Sequence, residues 1–448
     1  MVLKKFDLTV KEKIPPFTKT IKVDSDKSIS IRSFLIGAIC HNISVANNVL
    51  ESDDVFSAIN CIKQLGIKIK KQKAGKYFIY GKGLGSLKLK KNNTLNFGNS
   101  GTLARLLIGI LSTTPGIQVK LSGDNSLNKR SMKSLMKLMA KFGATFIPKN
   151  KFNFPIKLIS SDMPVGINYK AGVSAQLKSA VMLAGLNSYG NTSIIETQRS
   201  RDHTENILLN NSKVVKIKNN QQKIITIFGK KYLNPIKIDV PNDPSSGAFF
   251  SALTLLNKDS SLIIKKLGLN PSRTGFYKIL KNQGANIIFK NLKKNNNELQ
   301  GDVLVKSSNL KPIHASKSYY TNMTDEYPIL FVIAALTRGV SSFKGIGDLA
   351  NKESNRIKEM QKILNQIGVR SKFSGDELKI FGKGIFDARK KTIKVPNKGD
   401  HRLCMSTFVL ALITGAKAKI KNFETVFTSS PSFLKIMKNL GAKFEIQK

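Results

Sequence analysis

The chain is 448 residues long and 41% hydrophobic, enough for two or more domains, each with a proper core. Its 74 Lys+Arg against 28 Asp+Glu give a formal charge of +46, which favours nucleic acid, membrane headgroups or small anionic substrates as partners. Three cysteines (Cys40, Cys61, Cys404) exclude a disulfide framework or zinc site and suit a reducing compartment. The absence of an N-terminal apolar leader and of any uninterrupted apolar run of about 18 residues argues against secretion and membrane insertion, so a soluble cytoplasmic protein is expected. The lysines are scattered among Asn and Ile, as in "KIKKQKAGKY" and "NLKKNNNEL", without the interleaved aromatics of a single-strand-binding surface. They read as solvated surface.

The first junction in the chain, "VDSDKSISIRS" (23–33), follows a Pro-Pro turn and runs from strand to helix. It crowds Asp26, Lys27, Ser28, Ser30 and Arg32 together, as either a solvated helix start or an anion clamp. A pattern then recurs: a helix-period segment, a glycine, a small or β-branched residue and a strand. It reads "CIKQLGIKI", "LMAKFGATF", "ILKNQGANI", "ILNQIGVRS" and "IMKNLGAKF", with glycines at 66, 143, 284, 368 and 441. Each glycine stands where a helix end needs a left-handed residue before the strand. The gaps are 77, 141, 84 and 73 residues, and the longest holds a degenerate sixth copy near "LLNNSKVVKI" (208–217). That period is too long for common solenoids and implies α/β units assembled three to a domain. "YFIYG", "PIKLI", "IITIFG" and "LKIFGKG" are expected strands, and "VPNDPSSGAFF" (240–250) marks the boundary between halves, with Ser245 and Ser246 able to cap the next helix.

Polar clusters stand ahead of the apolar helices. "NFGNSGTLARLLIGIL" sets Asn99, Ser100, Gly101 and Thr102 before a helix carrying Arg105, a glycine-containing turn suited either to an anion or to an ordinary cap. "GDNSLNKRSMKSLMKLM" brings Lys129 and Arg130 to a helix start, where an anion would offset an unfavourable dipole interaction. "VSAQLKSAVMLAGL" sets Ser174, Gln176 and Lys178 in an apolar helix, and buried polar groups of this kind need partners that a ligand could supply. "QRSRDHTENIL" adds Arg201, Asp202 and His203. Further on, "NMTDEYPILFVIAAL" offers Asp325 and Glu326, "NKESNRIKEM" offers Lys352, Glu353 and Arg356, and "KGDHRLCMSTFVLAL" offers Asp400, His401 and Arg402. Any one of these acids could be a helix cap. Together they supply anion-binding cations beside acid/base carboxylates, without a nucleophilic triad, a P-loop or metal-ligand spacing. The chemistry points to an enzyme joining two anionic small molecules.

"DKSISIR", "GNSGTLARLL", "GDNSLNKR", "SAQLKSAVMLAGL", "SRDHTENIL", "VPNDPSSGAFF", "NPSRTGFYKIL", "TDEYPIL", "NKESNRIKEM" and "GDHRLCMS" lie in family order from residue 23 to about 415. In them the chain resembles the 5-enolpyruvylshikimate-3-phosphate synthases (3-phosphoshikimate 1-carboxyvinyltransferases). The resemblance implies a two-domain inside-out α/β barrel-like fold, each domain of three βαβαββ repeats with buried helices. Residues 24–241 would form the first domain and 1–23 with 242–448 the second, with the active site in the cleft between them. It implies transfer of the enolpyruvyl group of phosphoenolpyruvate to the 5-hydroxyl of shikimate 3-phosphate, through a tetrahedral intermediate, on the route to chorismate. Carried over by motif, Lys27, Ser28, Arg32, Ser174, Gln176, Arg201, Asp325 and Lys352 would hold shikimate 3-phosphate. Lys27, Asn99, Gly101, Arg130, Arg356 and Arg402 would hold phosphoenolpyruvate. Asp325, Glu353 and Lys27 would be catalytic. No metal or organic cofactor, no specific nucleic acid and no membrane is implied, and family members are usually monomers.

The chain departs from the family pattern at several positions. Asp24-Ser25 replaces the usual Pro-Gly, Ile31 the His of "SISHR", Ala175 the second serine of "SSQ" and Asn355 the Asp of "ESDR", and a late lysine is missing around Thr428 to Pro431. One rival is the sister transferase acting on UDP-N-acetylglucosamine, which uses a cysteine in a mobile loop. Another is a nucleic-acid-binding protein suggested by the charge, which would leave Asp325 and Glu353 without a role.

Overall fold

Helices that are apolar on every side must be buried on every side, whereas one apolar stripe seats a helix against a single layer. This chain alternates the two kinds. The computed structural model describes residues 5–89, 94–211, 213–396 and 398–447, and divides into two compact units. The first comprises Ser25–Val240 with Lys294–Glu298; the second comprises Met1–Asp24, Pro241–Lys293 and Leu299–Lys448. The first unit carries α1 (Lys27–Ile39), α2 (Asp53–Gln64), α3 (Gly101–Ser112), α4 (Lys133–Ala140), α5 (Ala175–Leu186) and α6 (His203–Leu208). The second carries α7 (Pro244–Leu256), α8 (Gly275–Asn282), α9 (Tyr327–Ala335), α10 (Arg356–Gln366), α11 (His401–Thr414) and α12 (Phe433–Asn439). Every residue of α7, α9 and α11 is buried, whereas α2, α4, α8 and α10 keep exposed polar faces.

Each repeat runs strand, helix, strand, helix, strand, strand. In the second repeat, Thr94–Asn96 leads through α3 to Gln118–Ser122, with which it pairs in parallel. α4 then leads to Thr145–Ile147 and Ile156–Ile159, and the latter lies between Gln118–Ser122 and Thr145–Ile147, antiparallel to both. The same first-second-fourth-third order recurs in all six four-stranded sheets, so the α/β repeat architecture expected from the sequence is the one formed.

Both units borrow strands from distant parts of the chain. Lys237–Asp239 opens the first repeat from the far end of its unit, pairing in parallel with Val45–Asn47. In the second unit Thr18–Ile21 opens the fourth repeat beside Ser261–Ile264. Asp7–Val10 closes the sixth, antiparallel to both Lys417–Ile420 and Phe444–Gln447.

The helix stops are where the glycine pattern places them. Gly66, Gly143, Gly284, Gly368 and Gly441 take φ of +88, +95, +93, +79 and +100, conformations that strain any side chain. The sixth copy spans residue 212, which lies outside the described residues; α6 ends at Leu208 and the next strand begins at Val215. The four expected strand segments all fall on strands, with Pro155, Gly229, Lys383 and Gly384 lying just beyond the strand ends. One expectation is corrected: Asp243, not Ser245 or Ser246, caps α7, its Oδ1 accepting the Ser245 N–H at 2.8 Å. Pro244, with no N–H to satisfy, takes the first helical position and moves the helix start forward. Buried packing also fixes a close approach of α3 and α5, where a Cβ on Gly109 would lie 2.5 Å from Ala180 O.

Candidate active site

In the first unit the cations lie at helix starts. Asp26 caps α1, its Oδ1 accepting from Ile29 N at 2.8 Å, and this places Lys27 and Ser28 in the first turn and Arg32 one turn later. Lys27 Nζ lies 2.9 Å from Asp54 Oδ2 on α2. Arg32 is 3% exposed and donates to Thr204 Oγ1 (2.9 Å), Ser28 O (3.0 Å) and Ser179 Oγ (3.2 Å). None of these three acceptors is charged. Burial, together with the positive charge of Arg201, lowers the pKa of Arg32 to about 10, while Asp26, Glu205 and Glu298 oppose the shift. Two guanidiniums brought near each other, one of them desolvated, favour a bound anion.

Ser174 caps α5, accepting from Leu177 N at 3.3 Å. Gln176, in the first turn, accepts from Arg105 Nη1 at 2.8 Å and donates to Thr102 Oγ1 at 3.0 Å, which binds α5 to α3. Ser100 caps α3, so Gly101 begins that helix as the turn requires. Arg130 Nη2 donates to Asn99 Oδ1 at 2.8 Å, and Asn99 Nδ2 donates to Asp124 Oδ2 at 2.7 Å. An ideal Cβ at Gly101 would lie 3.2 Å from Arg130 Nη1 and 2.8 Å from Arg105 Nη1. The absent side chain therefore leaves room where two guanidiniums meet a helix N-terminus, an arrangement suited to phosphate or carboxylate.

In the second unit one buried guanidinium gathers the carboxylates. Arg356, the first residue of α10, is 1% exposed. Its Nη2 lies 2.6 Å from Glu353 Oε2, its Nε 2.9 Å from Asp400 Oδ2 and its Nη1 3.5 Å from Asp325 Oδ1. Burial works against the charge of Arg356, but the three carboxylates outweigh it and push its pKa up. Asp400 also accepts from Ser354 Oγ at 2.9 Å and caps α11 at Arg402 N. Arg402 is the contrasting case. It is 4% exposed and lies 5.7 Å from the Phe249 ring, and its Nε and Nη1 make no hydrogen bond among the described residues. A buried guanidinium with unused N–H groups calls for an acceptor, and an anion would also balance its charge. Lys352 Nζ lies 2.6 Å from Asp348 Oδ2, which also accepts the Tyr320 hydroxyl at 2.7 Å.

Several of these partners were not singled out by sequence reasoning: Asp54, Ser179, Thr204, Tyr320 and Asp348. Thr204 and Ser179 sit inside quoted motifs, whereas Asp54 and Asp348 look like ordinary helix-start acids. Lys178 needs no ligand. It is fully buried, with Glu196 Oε1 and Glu205 Oε1 each 2.7 Å from its Nζ. The three cysteines are buried free thiols on or at the ends of helices, and burial raises all three, Cys40 and Cys61 to about 12. That is the reverse of a loop nucleophile. No helix among the described residues is long and apolar enough to cross a membrane.

Repeated α/β units with cations at helix N-termini, and carboxylates converging on one arginine, define an enzyme that handles small anions by acid–base chemistry. The family model for EPSP synthase (3-phosphoshikimate 1-carboxyvinyltransferase) matches residues 11–437. A 3-phosphoshikimate 1-carboxyvinyltransferase of Paramagnetospirillum magneticum is 36% identical over 431 residues, 96% of each chain. One of Zymomonas mobilis is 37% identical over 442 residues, 98% of this chain and 97% of that one. Among solved structures, an EPSP synthase from Acinetobacter baumannii superposes with a TM-score of 0.85 at 32% identity, covering 99% of this chain and all of the other. The chain belongs to the EPSP synthase family. It is a 3-phosphoshikimate 1-carboxyvinyltransferase, moving the enolpyruvyl group of phosphoenolpyruvate to shikimate 3-phosphate in chorismate biosynthesis.

Proposed function

We propose the following residue roles in this reaction. Lys27, Ser28, Arg32, Ser174, Gln176, Arg201, Asp325 and Lys352 hold shikimate 3-phosphate, while Lys27, Asn99, Gly101, Arg130, Arg356 and Arg402 hold phosphoenolpyruvate. Asp325 takes the proton of the 5-hydroxyl as its oxygen adds to C2 of phosphoenolpyruvate. Glu353, with Lys27, delivers a proton to C3, giving a tetrahedral intermediate. Removal of a C3 proton then expels phosphate and leaves the enol ether. Fixed guanidiniums stabilise the charge that moves between the phosphate and carboxylate oxygens.

The observation that carries this assignment is Arg402, buried with two nitrogens that make no hydrogen bond among the described residues. A charge-assisted hydrogen bond contributes about 1.5–3 kcal/mol, or roughly 10- to 100-fold in binding. Arg402→Ala should therefore raise the KM for phosphoenolpyruvate by that order, while calorimetry finds shikimate 3-phosphate binding within about twofold of wild type. An unchanged KM would remove Arg402 from the phosphoenolpyruvate site. The family resemblance further supports a cytoplasmic monomer; sedimentation at a mass other than 49.5 kDa would contradict the oligomeric state.

A further inference from the structure

Asp24 is the last residue of the second unit's first segment, immediately before the chain enters the first unit at Ser25. Its Oδ2 accepts two hydrogen bonds, from Ser430 Oγ at 2.9 Å and from the backbone N–H of Ser432 at 3.0 Å. Its main-chain oxygen accepts from Asp243 N at 2.8 Å. Asp243 in turn caps α7 and takes Arg273 Nη2 at 3.0 Å. One residue thus ties together the turn into α12, the start of α7 and the strand that leads toward α1. Burial raises its carboxyl above the ordinary value, and its hydrogen bonds to Ser432 and Ser430 only partly offset this. The bonds it forms fix backbone position rather than neutralise a cation.

We propose that Asp24 is a positioning residue for enolpyruvyl transfer: latched to Ser430 and Ser432, it sets the point from which the Asp26–Ser28 segment carries Lys27 and Ser28 into the substrate site. The proposal rests on the assignment of Lys27 and Ser28 to shikimate 3-phosphate.

The test is steady-state kinetics and thermal unfolding of the full chain, for wild type, Asp24→Ala, Asp24→Asn, Ser430→Ala and the Asp24→Ala/Ser430→Ala double variant. Misplacing the segment should lower kcat/KM for shikimate 3-phosphate about tenfold in Asp24→Ala, mostly through KM. Asp24→Asn should recover to within about threefold of wild type, because the Ser430 hydroxyl and the Ser432 N–H both donate to Oδ2, an acceptor that an amide oxygen also provides. The double variant should be no worse than Asp24→Ala, since the two side chains form one interaction. Wild-type kinetics in Asp24→Ala, or a loss that tracks the melting temperature and is not restored by asparagine, overturns the proposal. Were Lys27→Ala to leave shikimate 3-phosphate binding intact, the underlying assignment would fail instead, and the two failures are read from different variants.

Discussion

At Gly101 one missing atom is expected to matter more for binding than for folding. The atoms its added Cβ would meet are the far ends of Arg105 and Arg130, which can swing away at little cost. Gly101→Ala should therefore melt within about 1–2 °C of wild type, because only the ends of flexible side chains have to move. It should nevertheless raise the KM for phosphoenolpyruvate several-fold by displacing both guanidiniums; an unchanged KM with a lowered melting temperature would show the reverse. At this scale the sequence was legible where chemistry depends on a local run. Helix-start serines and aspartates, the glycine stops and the cation clusters all follow from neighbours within a few residues. Lys178 was legible only as a buried polar group. Its partners Glu196 and Glu205 come from a strand end and from α6, and nothing local distinguishes them from a ligand.

The elements around Lys178 form a buried charge cluster. Lys223 lies 3.3 Å from Glu205 and 3.5 Å from Glu196, so two cations and two carboxylates join α5, the strand Asn191–Glu196 and α6. Ser200 donates both its N–H and its hydroxyl to Glu196 Oε1, which shapes the loop that carries Arg201. Removing one partner leaves uncompensated buried charge, so Lys178→Ala should lose about 3–5 kcal/mol of stability, measurable by urea unfolding. Burial alone would raise the Glu196 carboxyl, but Lys178, Ser200 and Lys223 hold it below its ordinary 4.5. Its stabilising contribution is then fully present above pH 4.5 and is lost as pH falls through the lowered value. Stability should decline on acidification below that point, and Glu196→Gln should flatten this part of the profile while lowering stability at neutral pH. An identical acid profile in the two proteins would exclude Glu196 as a contributor.

Across the whole molecule, the repeat was legible because five of its six copies end a helix with a glycine that a left-handed turn requires. The closure of the repeats was not. Lys237–Asp239 finds its partner at Val45–Asn47, and Asp7–Val10 finds Lys417–Ile420, pairings set by sheet edges that no local pattern encodes. This closure has a consequence for truncation. Deleting residues 1–22 would strip one strand from each of two sheets in the second unit, exposing a central gap between Lys417–Ile420 and Phe444–Gln447. Such a protein should be recovered mainly as aggregate, and supplying residues 1–22 as a separate peptide during refolding should restore part of the soluble yield. A soluble truncated chain with wild-type circular dichroism would contradict the role given to these strands.

Whether Asp325 and Glu353, gathered on Arg356, carry the proton transfers can be read from phosphate release. The assay uses shikimate 3-phosphate and phosphoenolpyruvate with wild type, Asp325→Ala and Glu353→Gln. Steady release is expected from the wild type, with a loss of about a hundredfold or more in both variants, as for general acid–base groups. Shikimate 3-phosphate should still bind Glu353→Gln. Release by either variant within a few-fold of wild type would place the chemistry on other residues.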